Sequence, residues 1–206
     1  MVKWKMAIIV LSVTISEVSP LNAKDFPTID SDGHLGKAAT GDGDLHMVVD
    51  VSVANGDFSR GAFDDDAASV DQLPMHGSAT LAWTLHRDAA SNPDLWIEAS
   101  SANGFHSPVA IERTSPRAWY ESNNLLAVLY KPNNTTNAAL SYLIKTSPNG
   151  ISPTSHELAA SVGYATKNGI GSLAPSVVLS VHTRGGKGVY SLFSIDPNFK
   201  LAERDS

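Results

Sequence analysis

Residues 45–51, Leu-His-Met-Val-Val-Asp-Val, and six further short runs carry the β-branched, aliphatic and aromatic residues that suit a pleated, half-buried surface. They pair up along the chain: 80–85 with 95–99, 125–130 with 140–144, and 176–181 with 189–193. Between the members of each pair lie turn-formers, including Asn92-Pro93-Asp94, Pro132-Asn133-Asn134 and Gly185-Gly186. Pro fixes φ while Gly and Asn accept positive φ, so each pair predicts a β-hairpin. The helical candidates, 64–71 and 155–160, are too short to stand alone.

The hairpins recur. Asn103-Gly104-Phe105-His106-Ser107-Pro108 returns as Asn149-Gly150-Ile151-Ser152-Pro153, with weaker relatives at Asn55-Gly56 and at Asp196-Pro197-Asn198. Asn55, Asn103, Asn149 and Asn198 are separated by 48, 46 and 49 residues, which gives about four units of roughly 47 residues. Four such units predict an all-β, β-propeller-like fold, with a β-sandwich as the alternative. The first unit, over 25–43, lacks a clear first strand.

Before the repeats comes a leader. Lys3 and Lys5 precede an apolar run of about ten residues, too short for a transmembrane helix, and a polar stretch ends at Ala23. Residues 1–23 therefore read as a secretory signal peptide and 24–206 as one soluble all-β domain, secreted or periplasmic, with no membrane span. Of 15 Lys and Arg and 21 Asp and Glu, the leader holds Lys3, Lys5 and Glu17, so its removal takes the net charge from −6 to about −7. The basic residues are scattered singly, which argues against nucleic acid as a partner. The chain has no cysteine, so burial alone must hold it together.

The turn motif around Leu95-Trp96-Ile97-Glu98 and Asn103-Gly104-Phe105-His106-Ser107-Pro108, with Gly171-Ser172 and Pro175-Ser176 opening a strand, resembles the blades of sialidase-like and lectin-like propeller repeats. Ser194 and Asp196 keep the first half of the sialidase Asp-box, with Asn198 where its Gly belongs. The resemblance covers 77–199 moderately and 25–76 weakly. It implies either a carbohydrate-binding module for a glycan or cell-surface ligand, or a small glycoside hydrolase using an arginine cluster, a Tyr and carboxylates. A third reading is a structural or protein-interaction propeller.

Candidate chemistry is sparse. A sugar site needs an aromatic platform ringed by polar groups. Trp119 and Tyr120, with Arg117 and Glu121 beside them and Trp96 with Glu98 on a strand, are the candidate ligand-binding residues. Trp83 and Trp96 lie within strands, where a core position is expected, and the scattered charges are expected at solvated edges. No cofactor is implied. Asp30, Asp32, Asp42, Asp44 and Asp64–Asp66 could offer oxygens to calcium, though their spacing matches no complete calcium loop. His156-Glu157 opens like a zinc-protease helix, but Ala160 stands where the second His is required. The 169–174 glycine spacing runs into Pro175 and a β-branched run, so it reads as a loop.

Overall fold

A computed structural model describes residues 11–15, 24–40, 43–53, 58–59, 62–63, 74–87, 94–108, 115–168 and 171–199. Among them there is no helix, and so none long and apolar enough to cross a membrane. The strands in chain order are β1 (Leu11–Ile15), β2 (Lys24–Ile29), β3 (Leu35–Thr40), β4 (Leu45–Val53), β5 (Phe58–Ser59), β6 (Ala62–Phe63) and β7 (Met75–His86). They continue as β8 (Asp94–Phe105), β9 (Trp119–Lys131), β10 (Thr136–Thr146), β11 (Ser155–Tyr164), β12 (Thr166–Asn168), β13 (Gly171–Arg184) and β14 (Val189–Phe199).

The three predicted hairpins form, as β7–β8, β9–β10 and β13–β14. They are not separate blades. β8 also pairs with β9, β10 with β11 and β11 with β13, so β4, β7, β8, β9, β10, β11, β13 and β14 make one antiparallel meander, with β1 on the outer edge of β4. Residues 155–160, a helical candidate too short to stand alone, are the start of β11. Its sequence, Glu157-Leu-Ala-Ala-Ser-Val-Gly-Tyr164, alternates with period two, and the cross-strand ladders on both sides satisfy its backbone. The β9–β10 turn is closed by Asn133, whose Oδ1 accepts from the backbone N–H groups of Thr135 and Thr136 at 2.9 Å each.

Register puts side chains in rows. Leu45, Trp83, Ile97, Val128, Leu140, Ala160 and Leu179 are successive cross-strand partners on one face. One residue along, His46, Ala82, Glu98, Ala127, Ser141, Ala159 and Ser180 form the matching row on the other. The second face is the buried one.

The β2–β3 hairpin, a separate two-stranded sheet over the stretch where a first strand was missing, lies against that buried face. Phe26 stacks on His46 of β4, the Ile29 N–H reaches Glu98 of β8, and Gly33 meets Ser161 of β11 and Val178 of β13. In a flat sheet β4 and β13 would stand roughly 29 Å apart, six strand spacings. One hairpin cannot touch both, so the sheet curls around it. Ile29 and Leu35 pack with Trp96, Leu125, Ala127, Leu129, Ala139 and Leu143 as the core. The small residues Ala127, Ala139, Ala159, Ser161 and Gly163 leave the space that the hairpin fills.

Candidate functional site

The face turned away from the hairpin is unusual for a protein in water. Among the described residues its positions on the eight meander strands hold no Asp, Glu or Lys, and a single Arg, Arg184, at the last residue of β13. They hold large apolar side chains left open: Leu45, Trp83, Val189 and Phe193 are each 58–68% exposed, and Leu126, Leu140, Val162, Val177 and Leu179 are half exposed. Exposed apolar patches on soluble monomers seldom exceed a few hundred Å2. Trp83, expected in the core, is thus on the outer surface, because its register aligns it with Leu45 and Ile97 rather than with Glu98. Trp96 is in the core as expected.

Polar chemistry is inside. Glu98 is fully buried, where a solvated edge was expected, and its Oε1 accepts from the Ile29 N–H at 3.4 Å. Glu157, also buried, accepts from Ser180 Oγ at 2.9 Å and faces His182 Nδ1 at 3.9 Å. Lys145 pairs with Asp32 at 3.1 Å, and Ser161 Oγ donates to the Gly33 carbonyl at 2.6 Å. The Lys145–Asp32 and Ser161–Gly33 contacts tie the hairpin tip to the wall, while Glu157 joins β11 to β13. Gly33 has φ +86°, which favours glycine, and a Cβ there would stand 2.8 Å from Val178 Cγ1.

The candidate sugar-binding residues separate into two places. Arg117 is exposed just before β9, and Trp119 is half-buried at its start with its ring stacked on Phe105 at 6.0 Å. The Trp119 Nε1–H donates to the Glu121 carbonyl at 2.8 Å. Tyr120 is buried, its hydroxyl 3.0 Å from His76 Nε2 and its ring 4.7 Å from that of His106; the close approach of its ring is why residue 104 must be glycine. Glu121 accepts from Asn123 Nδ2. Trp96 and Glu98 lie deeper, on β8 beneath the hairpin.

Arg87 sits at the end of the sheet that carries the 132–135 turn, whereas Arg117 and Arg184 sit at the opposite end. Asp30 Oδ1 accepts from the backbone of Asp32 and His34, and Asp30 Oδ2 meets His34 Nδ1 at 2.9 Å. Among the described residues no group of three or more His or acidic side chains is placed to hold a metal ion. Asp42, Asp64–Asp66, Arg60, Glu112, Arg113, Arg204, the helical candidate 64–71, residues 169–170 and most of the leader lie outside the described residues.

Two features went unread in the sequence. One is the strict two-residue alternation of β11 and β13, which was the available signal for a wall with one apolar face. The other is the pair Lys37 and Lys131, distant in sequence, which folding brings to one cavity. No protein-family model, curated protein or solved structure matches the chain. Its class rests on this geometry: an all-β antiparallel meander with an apolar outer face and an inner face of mixed apolar and polar residues, curled around a hairpin.

Proposed function

We propose that the chain is an outer-membrane-type β-barrel, its wall the eight meander strands and its interior occluded by the β2–β3 hairpin. The observation that carries this is the outward face, free of Asp, Glu and Lys, with its one Arg, Arg184, at the very end of β13, and rich in Leu, Val and aromatic residues. Hydrocarbon is the environment that rewards such a face, by roughly 1.5–3 kcal/mol for each large side chain withdrawn from water. The absence of a long helix does not bear on this, since a tilted strand crosses with about 9–11 residues. The wall strands have nine (β4) to fourteen (β13) residues.

Three further features agree. Eight is an even number, so β4 and β14 run antiparallel and can close the wall. Trp83, Tyr130 and Tyr164 stand outward near the 132–135 turn, in the position of an interfacial aromatic girdle. The longest connections share one end: 54–74 and 106–118 lie opposite the short 132–135 turn, with 185–188 the short one among them, and barrels of this kind carry their long loops on one side. The leader supplies the route of export. A barrel of this size filled by side chains and a hairpin is a binding or structural element rather than a general pore.

The test is to fold the chain from residue 24 into detergent micelles and then into phospholipid vesicles. Vesicle-bound protein with protease-resistant β-structure and no general ion conductance is expected. A monomer that stays folded and soluble without detergent overturns the reading.

A further inference from the structure

A cavity of about 580 Å3 opens at the end of the sheet that carries the 132–135 turn. The hairpin contributes Phe26 and Lys37, the wall Lys131, Asn137 and Tyr164, and the turn Thr135. A volume of this order is that of a small-molecule site.

Its chemistry is one-sided. Lys37 and Lys131 bring two ammonium groups, and no carboxylate lines the cavity, although the chain as a whole is acidic. Neither lysine forms an ion pair among the described residues, even though Asp94 is the cross-strand neighbour of Lys131. Asn137 Oδ1 is buried there with no hydrogen-bond partner. An unused buried acceptor carries a desolvation penalty that a donor on a ligand would remove. Phe26 and Pro27 give the cavity an apolar side.

We infer that this cavity binds a hydroxylated phosphate of the glycerophosphate type. The phosphate lies between Lys37 and Lys131, and a ligand hydroxyl donates to Asn137 Oδ1. A free glycerophosphate and the headgroup of a glycerophospholipid share this chemistry. The inference rests on the cavity alone and not on the bilayer reading, since the same side chains meet there in detergent or in lipid.

The experiment is calorimetric titration of the chain from residue 24, folded in a zwitterionic detergent, with sn-glycerol 3-phosphate and separately with dihexanoylphosphatidylglycerol below its critical micelle concentration. Lys37→Gln, Lys131→Gln and Asn137→Leu are compared with Lys187→Gln, which lies on the exposed β13–β14 turn at the opposite end. Saturable binding is expected, weakened about tenfold by each lysine variant and unchanged by Lys187→Gln. Binding of sn-glycerol 3-phosphate identifies a free anion as sufficient; binding of the short-chain lipid only, with the same losses, assigns the site to a headgroup. Binding of neither, or binding that both lysine variants retain in full, overturns the inference. Circular dichroism of each variant confirms that a loss is not unfolding, and exposed Lys37 gives the variant least able to disturb the fold.

Discussion

Ser161 and Gly33, 128 residues apart in sequence, are joined by a 2.6 Å hydrogen bond from the serine hydroxyl to the glycine carbonyl, which fixes the hairpin tip to β11. Both partners are buried. Ser161→Ala leaves the carbonyl without its donor and should cost about 1–2 kcal/mol. Gly33→Ala must place a Cβ against Val178 at φ +86°, so a larger cost of about 2–4 kcal/mol is expected. Chemical unfolding in detergent, followed by tryptophan fluorescence, measures both. The double variant should lose less than the sum, because the two changes break one contact.

Leu140 and Ser141 are neighbours in sequence on opposite faces of β10, one 55% exposed and the other buried. Leu140→Arg puts a charge at mid-strand on the outward face, where a bilayer charges about 2–4 kcal/mol for it. Reduced insertion into vesicles, with secondary structure in micelles retained, is the expected outcome. A water-facing Leu140 would leave vesicle association unaffected.

Tryptophan depth separates the faces by spectroscopy. Lipids brominated near the headgroup should quench Trp83 strongly, and Trp96, in the core, weakly. Single-tryptophan chains keeping one or the other make the comparison, and equal quenching would count against the barrel.

Closure is testable with cysteines in a chain that has none. Successive partners starting from Leu45 cross the sheet to Ser191, about eight residues short of Phe199 at the far end of β14, so the strands are tilted and closure needs an offset of about that size. That offset sets Val51 opposite Phe193. Val51→Cys with Phe193→Cys should form a disulfide in the folded chain from residue 24. In the structure β1 occupies that edge of β4, with Val13 opposite Val51, so a chain retaining residues 1–23 should cross-link less.

Glu98 probes the hairpin from the other side. Glu98→Gln keeps an acceptor for the Ile29 N–H and should change stability by under about 1 kcal/mol, while Glu98→Ala removes the acceptor and opens a cavity, costing about 2–4 kcal/mol. The same unfolding measurement reads both, and equal costs would remove the hydrogen bond from the account.

Local chemistry made the strands and turns legible. Val, Leu and aromatic residues at 80–85, 125–130 and 176–181 define strands wherever they sit, and Pro132-Asn133 and Gly185-Gly186 interrupt them, because dihedral preference acts within a few residues. A spacing of about 47 residues between turn motifs does not choose a fold, because one up-and-down pair can recur at that interval in a propeller blade and in a meander alike. What distinguishes them is whether β8 pairs with β9 and β10 with β11, a contact between units that no single unit encodes.

The candidate site followed the same division. An all-β chain, its hairpins, the core position of Trp96 and the alternation at 157–164 are all local properties of the residues. Which alternating set faces inward is settled by contacts between distant segments. That choice put Trp83 outside and Glu98 inside, and it brought Lys37 to Lys131 across 94 residues of chain. The physical reason is that a strand has two faces related by one residue of register, and the sequence of a strand alone is compatible with either. The hairpin packed against the sheet, and the environment on its far side, break that symmetry.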